Sequence, residues 1–382
     1  MKFIKILPAG FAMFAMLFGA GNVVYPLLLG RDVGHQLLWG LIGFILIAAC
    51  LPVIGLVSVL LVEGDYNRFF GVLGKWPARV LIFVCMAIIG PFAIIPRCTT
   101  IAHGALTSYV LWLHMPLFSI GVAAVIFAAT VRRTAVVDVL GKFLGPLKFL
   151  LLLSIVIVGL LSPHPLVQVG FSRVYALGLG VRSALGTADL LGTIFFGGLI
   201  FSTLRAGTGE RFKGKSLIGI GLKIGLIGAS LLGIVYALFC IVAAYWGVQL
   251  VVVAPNEVFS MLARLVLGER GGLLANVTIA ICCLTTSMAL SVVFASYVQE
   301  EIFKKRISYL VALAGTIAIS TGMANVGFAG LMQLLLPIIS FLYPTLITLA
   351  VTHVIYRLWN INCIKIPVFA SFVLTLIFKL LV

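Results

Sequence analysis

The sequence predicts an all-α polytopic membrane protein of about eleven transmembrane helices, and three observations predict it. Of its 382 residues, 63% are hydrophobic and only 9% are charged, against about 25% charged in an ordinary soluble domain. Apolar runs of about 18 residues or more recur along the whole chain, each long enough to cross a ~30 Å hydrocarbon core as a helix. The period-two alternation of a transmembrane barrel is absent, and helices and closed barrels are the only backbones that satisfy every polar group in lipid. No polar interval is long enough for a soluble domain, so residues 1–382 read as one transmembrane domain.

In order, the spans are expected at residues 8–29, 37–62, 78–101, 111–131, 143–162, 187–205, 217–246, 272–297, 307–326, 329–355 and 364–381. Lys2 and Lys5 before the first span resemble the start of a secretory signal. The apolar run continues through Asn22 and Pro26 without a small-x-small cleavage site, so it reads as a retained helix. The seven cysteines, Cys50, Cys85, Cys98, Cys240, Cys282, Cys283 and Cys363, lie mostly inside apolar segments. An odd count without ligand-like spacing reads as small hydrophobes, neither disulfides nor a metal site.

The formal charge of +16 raises nucleic acid as a partner, but its distribution points to the membrane. With the N-terminus cytoplasmic, inner loops and inner helix ends hold Lys2, Lys5, Arg68, Lys75, Arg79, Arg132, Arg133, Lys142, Lys148, Arg205, Arg211, Lys213, Lys215, Lys223, Lys304, Lys305, Arg306, Arg357 and Lys365, which is 19 of the 26 basic residues. The outer side holds the remaining seven, Arg31, Arg97, Arg173, Arg182, Arg264, Arg270 and Lys379. This is a positive-inside signal. The basic surplus orients the chain and meets anionic lipid headgroups, and the C-terminus falls outside the inner (cytoplasmic) membrane. Oligomeric state leaves no trace in the sequence.

Two spans are expected to be broken. Span one holds Phe18, Gly19, Ala20, Gly21 and Asn22, then Pro26, and span six holds Phe195, Phe196, Gly197 and Gly198. A glycine inside a helix costs about 1 kcal/mol relative to alanine, and proline more, so each stretch is a place for unwinding. Close helix packing through small residues is the competing reading for either site alone. Spans one and six are separated by an odd number of crossings and run in opposite senses. Two five-helix units, 8–162 and 187–355, each opening on an interrupted helix, have the form of an inverted repeat of the LeuT type, with 364–381 as an extra C-terminal helix. The symmetry is topological, with no residue-level identity between the halves.

The stretch from Gly10 to Ala15, continued by Phe18-Gly19-Ala20-Gly21-Asn22-Val23-Val24-Tyr25-Pro26 and Leu29-Gly30, resembles the first helix of the bacterial branched-chain amino acid:cation symporters. Further stretches agree in order: Gly90-Pro91-Phe92-Ala93 and Pro96-Arg97-Cys98-Thr99-Thr100, Val137-Asp138 with Gly141-Lys142 and Pro146-Leu147, Thr187-Ala188-Asp189 with Phe196-Gly197, Cys283-Leu284-Thr285-Thr286, Asn325-Val326-Gly327, and Pro337 with Tyr343-Pro344. The resemblance implies uptake of leucine, isoleucine and valine, driven by sodium or protons, on a LeuT-like fold, without enzymatic chemistry and without a resident cofactor.

It places Gly19, Ala20, Gly21 and Asn22 at the substrate site, with the side chain against Phe195 or Phe196 and the ammonium at the Gly197–Gly198 break. By analogy with LeuT-like sodium sites, Thr285 and Thr286 hydroxyls with carbonyls near Ala15 and Phe18, and Asn22, would hold the cation. For the two threonines alone, back-bonding to the preceding turn is the competing reading. Asp189 is the only carboxylate placed within a span, where insertion costs about 2.5–3.5 kcal/mol. It reads either as a wetted gate or helix cap, or as a proton or cation site. Arg97 reads either as its partner or as a snorkelling side chain.

The chain departs from the family pattern at Ala102-His103, where a Phe-Glu pair is usual, and at Ala188, where Met is common. It also carries eleven spans where twelve are usual. A carrier for another apolar amino acid, methionine included, is therefore a rival reading. A channel would need a filter loop or polar stripe, which the sequence does not show. An enzyme would need a convergent constellation, which is equally absent.

Overall fold

The computed structural model describes residues 6–107, 109–110, 112–131, 145–161, 164–208, 215–359 and 364–381. Lys2, Lys5, Arg132, Arg133, Arg211, Lys213, Cys363 and the Val137-Asp138 and Gly141-Lys142 motif lie outside the described residues.

Every described element is a helix. α1 (Ile6–Leu17) and α2 (Ala20–Val33) precede α3 (Leu37–Leu60), the short α4 (Tyr66–Gly71), α5 (Lys75–Ala87) and α6 (Ile94–Thr107). Then come α7 (Met115–Thr130), α8 (Gly145–Leu160), α9 (Arg173–Leu185), α10 (Asp189–Thr208) and α11 (Lys215–Tyr245). α12 (Val258–Tyr297), α13 (Tyr309–Ala324), α14 (Gly327–Trp359) and α15 (Lys365–Leu381) complete the order. Six helical stretches among the described residues are long and apolar enough to cross a membrane: Ala20–Leu60, Lys75–Thr107, Arg173–Gly198, Gly219–Tyr245, Val258–Ile302 and Gly327–Tyr356. Shorter apolar helices lie between and beside them.

Three helical paths are interrupted near the centre of the bundle. The first stops at Leu17 and restarts at Ala20, with Gly19 extended at φ −127° and ψ −154°. The second breaks at Gly90–Ala93, where Gly90 leaves helical geometry and Pro91 removes a donor, so that α6 starts afresh. The third lies between α9 and α10, where Ala188 takes a left-handed φ of 64°.

The third break corrects the expected position in span six. α10 runs unbroken through Phe195, Phe196, Gly197 and Gly198, and the interruption lies at Gly186–Ala188. The span therefore begins at Arg173 instead of 187. Gly197 and Gly198 serve close packing instead: Gly197 abuts Leu56 and Val59 of α3, and Gly198 abuts the Gly64 carbonyl. A second difference is α12, which starts at Val258, well before the expected 272, and turns at Gly268 (φ 68°) before entering its long run.

Packing brings the interruptions together. α2 and α1 lie along α11, α10 lies along α3, and α12 lies along α6. Phe18, the last residue before Gly19, stacks on Phe14 at 5.4 Å and meets Phe239 of α11 edge-on at 6.2 Å. Such aromatic contacts contribute about 0.5–1.5 kcal/mol beyond burial and hold the end of α1 in place.

Candidate functional site

The site is built from chain ends that helices would otherwise hide. Where α2 restarts, its first backbone N–H groups have no helical partner. The Asn22 side chain answers one of them, its Oδ1 accepting from Gly19 N–H at 3.0 Å. At the other break, Gly186 and Thr187 precede the restart of α10, and the carbonyl of Gly186 accepts from Arg97 Nη1 at 3.0 Å. A left-handed alanine costs roughly 1–2 kcal/mol, so surrounding contacts must hold Ala188 in that conformation.

Between the breaks lies an internal cavity of about 20 Å³, lined by Gly19, Ala20, Asn22, Arg97, Thr187, Asp189 and Thr286 on its polar side. Met16, Leu17, Ile89, Ile94, Gly192, Phe196 and Leu290 form much of the rest. Its volume admits one or two water molecules. On the side of α4, Phe195 packs on Tyr66 and Phe70 at 5.5 and 6.1 Å, and Asn67 donates to Glu301 at 3.0 Å. Burial, with Glu301 and Glu300 close by, holds the Tyr66 phenol well above its usual range, so the phenol stays neutral. Toward the opposite side, Tyr25 lies over Gly186, and its hydroxyl reaches Met332 Sδ at 3.3 Å.

Asp189 sits in the first turn of α10, where the helix dipole favours a negative charge. It is 4% exposed and accepts two side-chain hydrogen bonds. Asn22 Nδ2 donates to Oδ1 at 2.6 Å and the Tyr236 hydroxyl donates to Oδ2 at 2.6 Å. Asn22 Nδ2 also donates to the Tyr236 hydroxyl oxygen. The three side chains come from α2, α10 and α11, so one polar knot ties both breaks to a third helix. Asn22 thereby fastens the break, with its oxygen and its nitrogen both engaged.

Thr286 reaches across to the other break, its hydroxyl donating to the Phe18 carbonyl at 3.0 Å. Thr285 donates to Cys282 of its own helix at 2.8 Å, the back-bonding alternative. Of the sequence-expected residues, the structure gathers Gly19, Ala20, Asn22, Asp189, Arg97, Phe196 and Thr286 around the cavity. Gly21 packs against Arg97, and Ala15 and Phe18 are buried in the turn ahead of the break. Phe195, Gly197 and Gly198 are not brought to it. The Arg97 guanidinium donates to the Gly186 carbonyl instead of pairing with Asp189. At 1% exposure it does not snorkel.

Sequence reasoning missed Tyr236, one of several hydroxyls in the apolar run of α11, and the Gly90–Ala93 break ahead of Arg97. The Gly-Pro pair at 90–91 carried a signal for the second; nothing local marked the first.

A family model described as branched-chain amino acid transport protein matches residues 2–381. The chain belongs to this family. This transport protein is 29% identical to the branched-chain amino acid permease BrnQ of Lactobacillus delbrueckii subsp. lactis, over 91% of the chain and 80% of the relative. It is 27% identical to the permease BraB of Bacillus subtilis, over 92% and 80%, and 26% identical to BrnQ of Escherichia coli K12, over 93% and 81%. Among solved structures it resembles Mhp1, a nucleobase-cation-symport-1 family transporter, in a closed conformation with bromovinylhydantoin bound. The TM-score is 0.65 at 13% identity, over 97% of this chain and 91% of that one. The inward-facing form of Mhp1 gives a TM-score of 0.63 at 12% identity, over 91% and 77%. The fold of this family member is accordingly LeuT-like, and the chain is a transporter, not an enzyme.

Proposed function

We propose that this chain is a secondary symporter that imports leucine, isoleucine and valine with a sodium ion or proton by alternating access. One observation carries the reading: two helix breaks from separate parts of the chain meet at one cavity, bringing bare backbone groups and buried polar side chains together. The restart of α2 offers N–H groups and a positive dipole end to a carboxylate. The carbonyls freed at Gly186–Thr187 face the ammonium. Phe196 with Ile89, Ile94 and Leu290 supplies an apolar wall for a branched side chain. Beside them, the Thr286 hydroxyl and the Phe18 carbonyl are hard oxygen ligands suited to a monovalent cation that must leave again each cycle. The permease names of the relatives support the same substrate class.

The architecture we propose has eleven spans, with a first repeat at 8–162, a second that opens with α9 at Arg173 instead of at 187 and runs to 355, and an extra helix at 364–381. The N-terminus lies in the cytoplasm and the C-terminus outside the inner membrane. The contact between Asn67 and Glu301 supports this orientation, because it puts the basic groups Arg68, Lys75, Lys304, Lys305 and Arg306 near one face.

A cavity of 20 Å³ is far below the roughly 300 Å³ of a small-molecule site, so the bundle opens before it binds. Reconstituted vesicles test the proposal. Labelled leucine, isoleucine or valine accumulates under an imposed inward sodium or proton gradient, and collapsing that gradient abolishes accumulation. Uptake of none of the three rejects the substrate class, and uptake indifferent to both gradients rejects the coupling.

A further inference from the structure

Arg97 is among the largest fully buried side chains, at 1% exposure. Its direct contacts are with neutral groups: Nη1 donates to the Gly186 carbonyl at 3.0 Å, the Tyr25 ring lies 6.0 Å away, and Nε has no hydrogen-bond partner. The ion pairs found among the described residues do not include it. A guanidinium is always charged and carries five donors in a planar fork. Burying it beside one carbonyl and a ring leaves both charge and donors short of partners, a costly state unless an anion completes it.

Asp189 mirrors this arrangement. It is 4% exposed, and the side chains that donate to its two oxygens, Asn22 and Tyr236, are neutral. A buried cation and a buried anion thus line one cavity without being joined to each other. A pair held for structure alone would gain most by closing into a bidentate bridge. Gly21 shows how closely Arg97 is fitted to the α2 restart: a Cβ there would stand 2.4 Å from Nη2.

We propose that Arg97 and Asp189 are the two charged poles that recognise an α-amino acid zwitterion, Arg97 with the α2 N-terminus taking the carboxylate and Asp189 taking the ammonium. The inference rests on the symporter reading above and deepens it by giving recognition to two side chains as well as to backbone. An α-amino acid carries one charge of each sign on neighbouring atoms, so binding neutralises both poles at once. The apolar remainder of the wall then selects among side chains. An amino alcohol leaves Arg97 unpaired, and a carboxylic acid without the amino group leaves Asp189 unpaired.

The test is competition against labelled leucine uptake in vesicles, using leucine, leucinol (no carboxylate) and 4-methylpentanoate (no amino group). Wild-type protein is expected to prefer leucine over either analogue by about 10- to 100-fold, the scale of a lost hydrogen bond to a charged group. In Arg97→Gln the preference over leucinol falls by about tenfold or more, because leucine weakens and leucinol does not. In Asp189→Asn the preference over 4-methylpentanoate falls in the same way. Each variant's thermal melting reports whether it is folded, and the Asp189→Asn comparison decides the matter where Arg97→Gln does not fold. Equal weakening of leucine and its analogue in a folded variant means that the residue is structural, and overturns the proposal. Wild-type protein that takes up none of the three amino acids defeats the symporter reading itself, a different failure.

Discussion

At the scale of single residues, the site depends on hydrogen bonds that leave no slack. Tyr236→Phe removes the donor to Asp189 and the acceptor for Asn22, leaving buried polar atoms unmatched. That costs about 1–3 kcal/mol, and the expected outcome is a lower melting temperature together with reduced leucine uptake. Thr286→Ala should weaken uptake by about tenfold through a raised requirement for the coupling cation, measured as half-saturation in cation titrations. Thr285→Ala should change that requirement less, since its hydroxyl is bonded within its own helix. Equal effects of the two substitutions would contradict the difference in their partners. Asn22 and Asp189 were legible in the sequence because a polar side chain inside an apolar run stands out against the cost of burying it, whereas Thr286 entered only through the family resemblance. Tyr236 was not, because a tyrosine in a span is ordinary until its hydroxyl is seen to meet Asp189 from another helix.

At the scale of elements, the breaks differ in how they are encoded. The break between α1 and α2 is written locally: Gly19 and Gly21 flank Ala20, Asn22 reaches back to Gly19, and Pro26 weakens the turn that follows. The break between α9 and α10 is imposed by tertiary contacts. A glycine, a threonine and an alanine occupy it, while the more conspicuous Gly197–Gly198 pair stays helical and packs on α3 and on Gly64 just after it. Composition alone therefore put the second break some ten residues too late. Ala188→Gly is expected to raise stability by about 1 kcal/mol, since the left-handed φ of 64° costs a glycine little, with transport retained; a drop in melting temperature would contradict that backbone geometry. Gly19→Ala would bring a Cβ within 2.9 Å of Thr286, and Gly21→Ala within 2.4 Å of Arg97. Both should abolish most uptake while the protein still inserts. Gly197→Ala meets its nearest neighbour at 3.1 Å and should leave uptake within about twofold, a mild packing effect.

At the scale of the whole molecule, Tyr25 lies over Gly186 at one break, while Tyr66, Phe70 and Phe195 pack together on the side of α4. The symporter proposed above alternates between two openings around its polar centre. One elementary charge moving through about 100 mV supplies about 2.3 kcal/mol, enough for roughly fifty-fold accumulation. The polytopic class was legible because it depends on a sum over many residues, whereas the packing at the two breaks depends on side-chain contacts that no local window contains. The most direct measurement is an experimental structure of the protein in lipid with leucine bound. Leucine density is expected between the Gly19–Asn22 turn and the Gly186–Asp189 turn, with spans one and six interrupted there. Leucine seated elsewhere, or two continuous helices running through those turns, would contradict it.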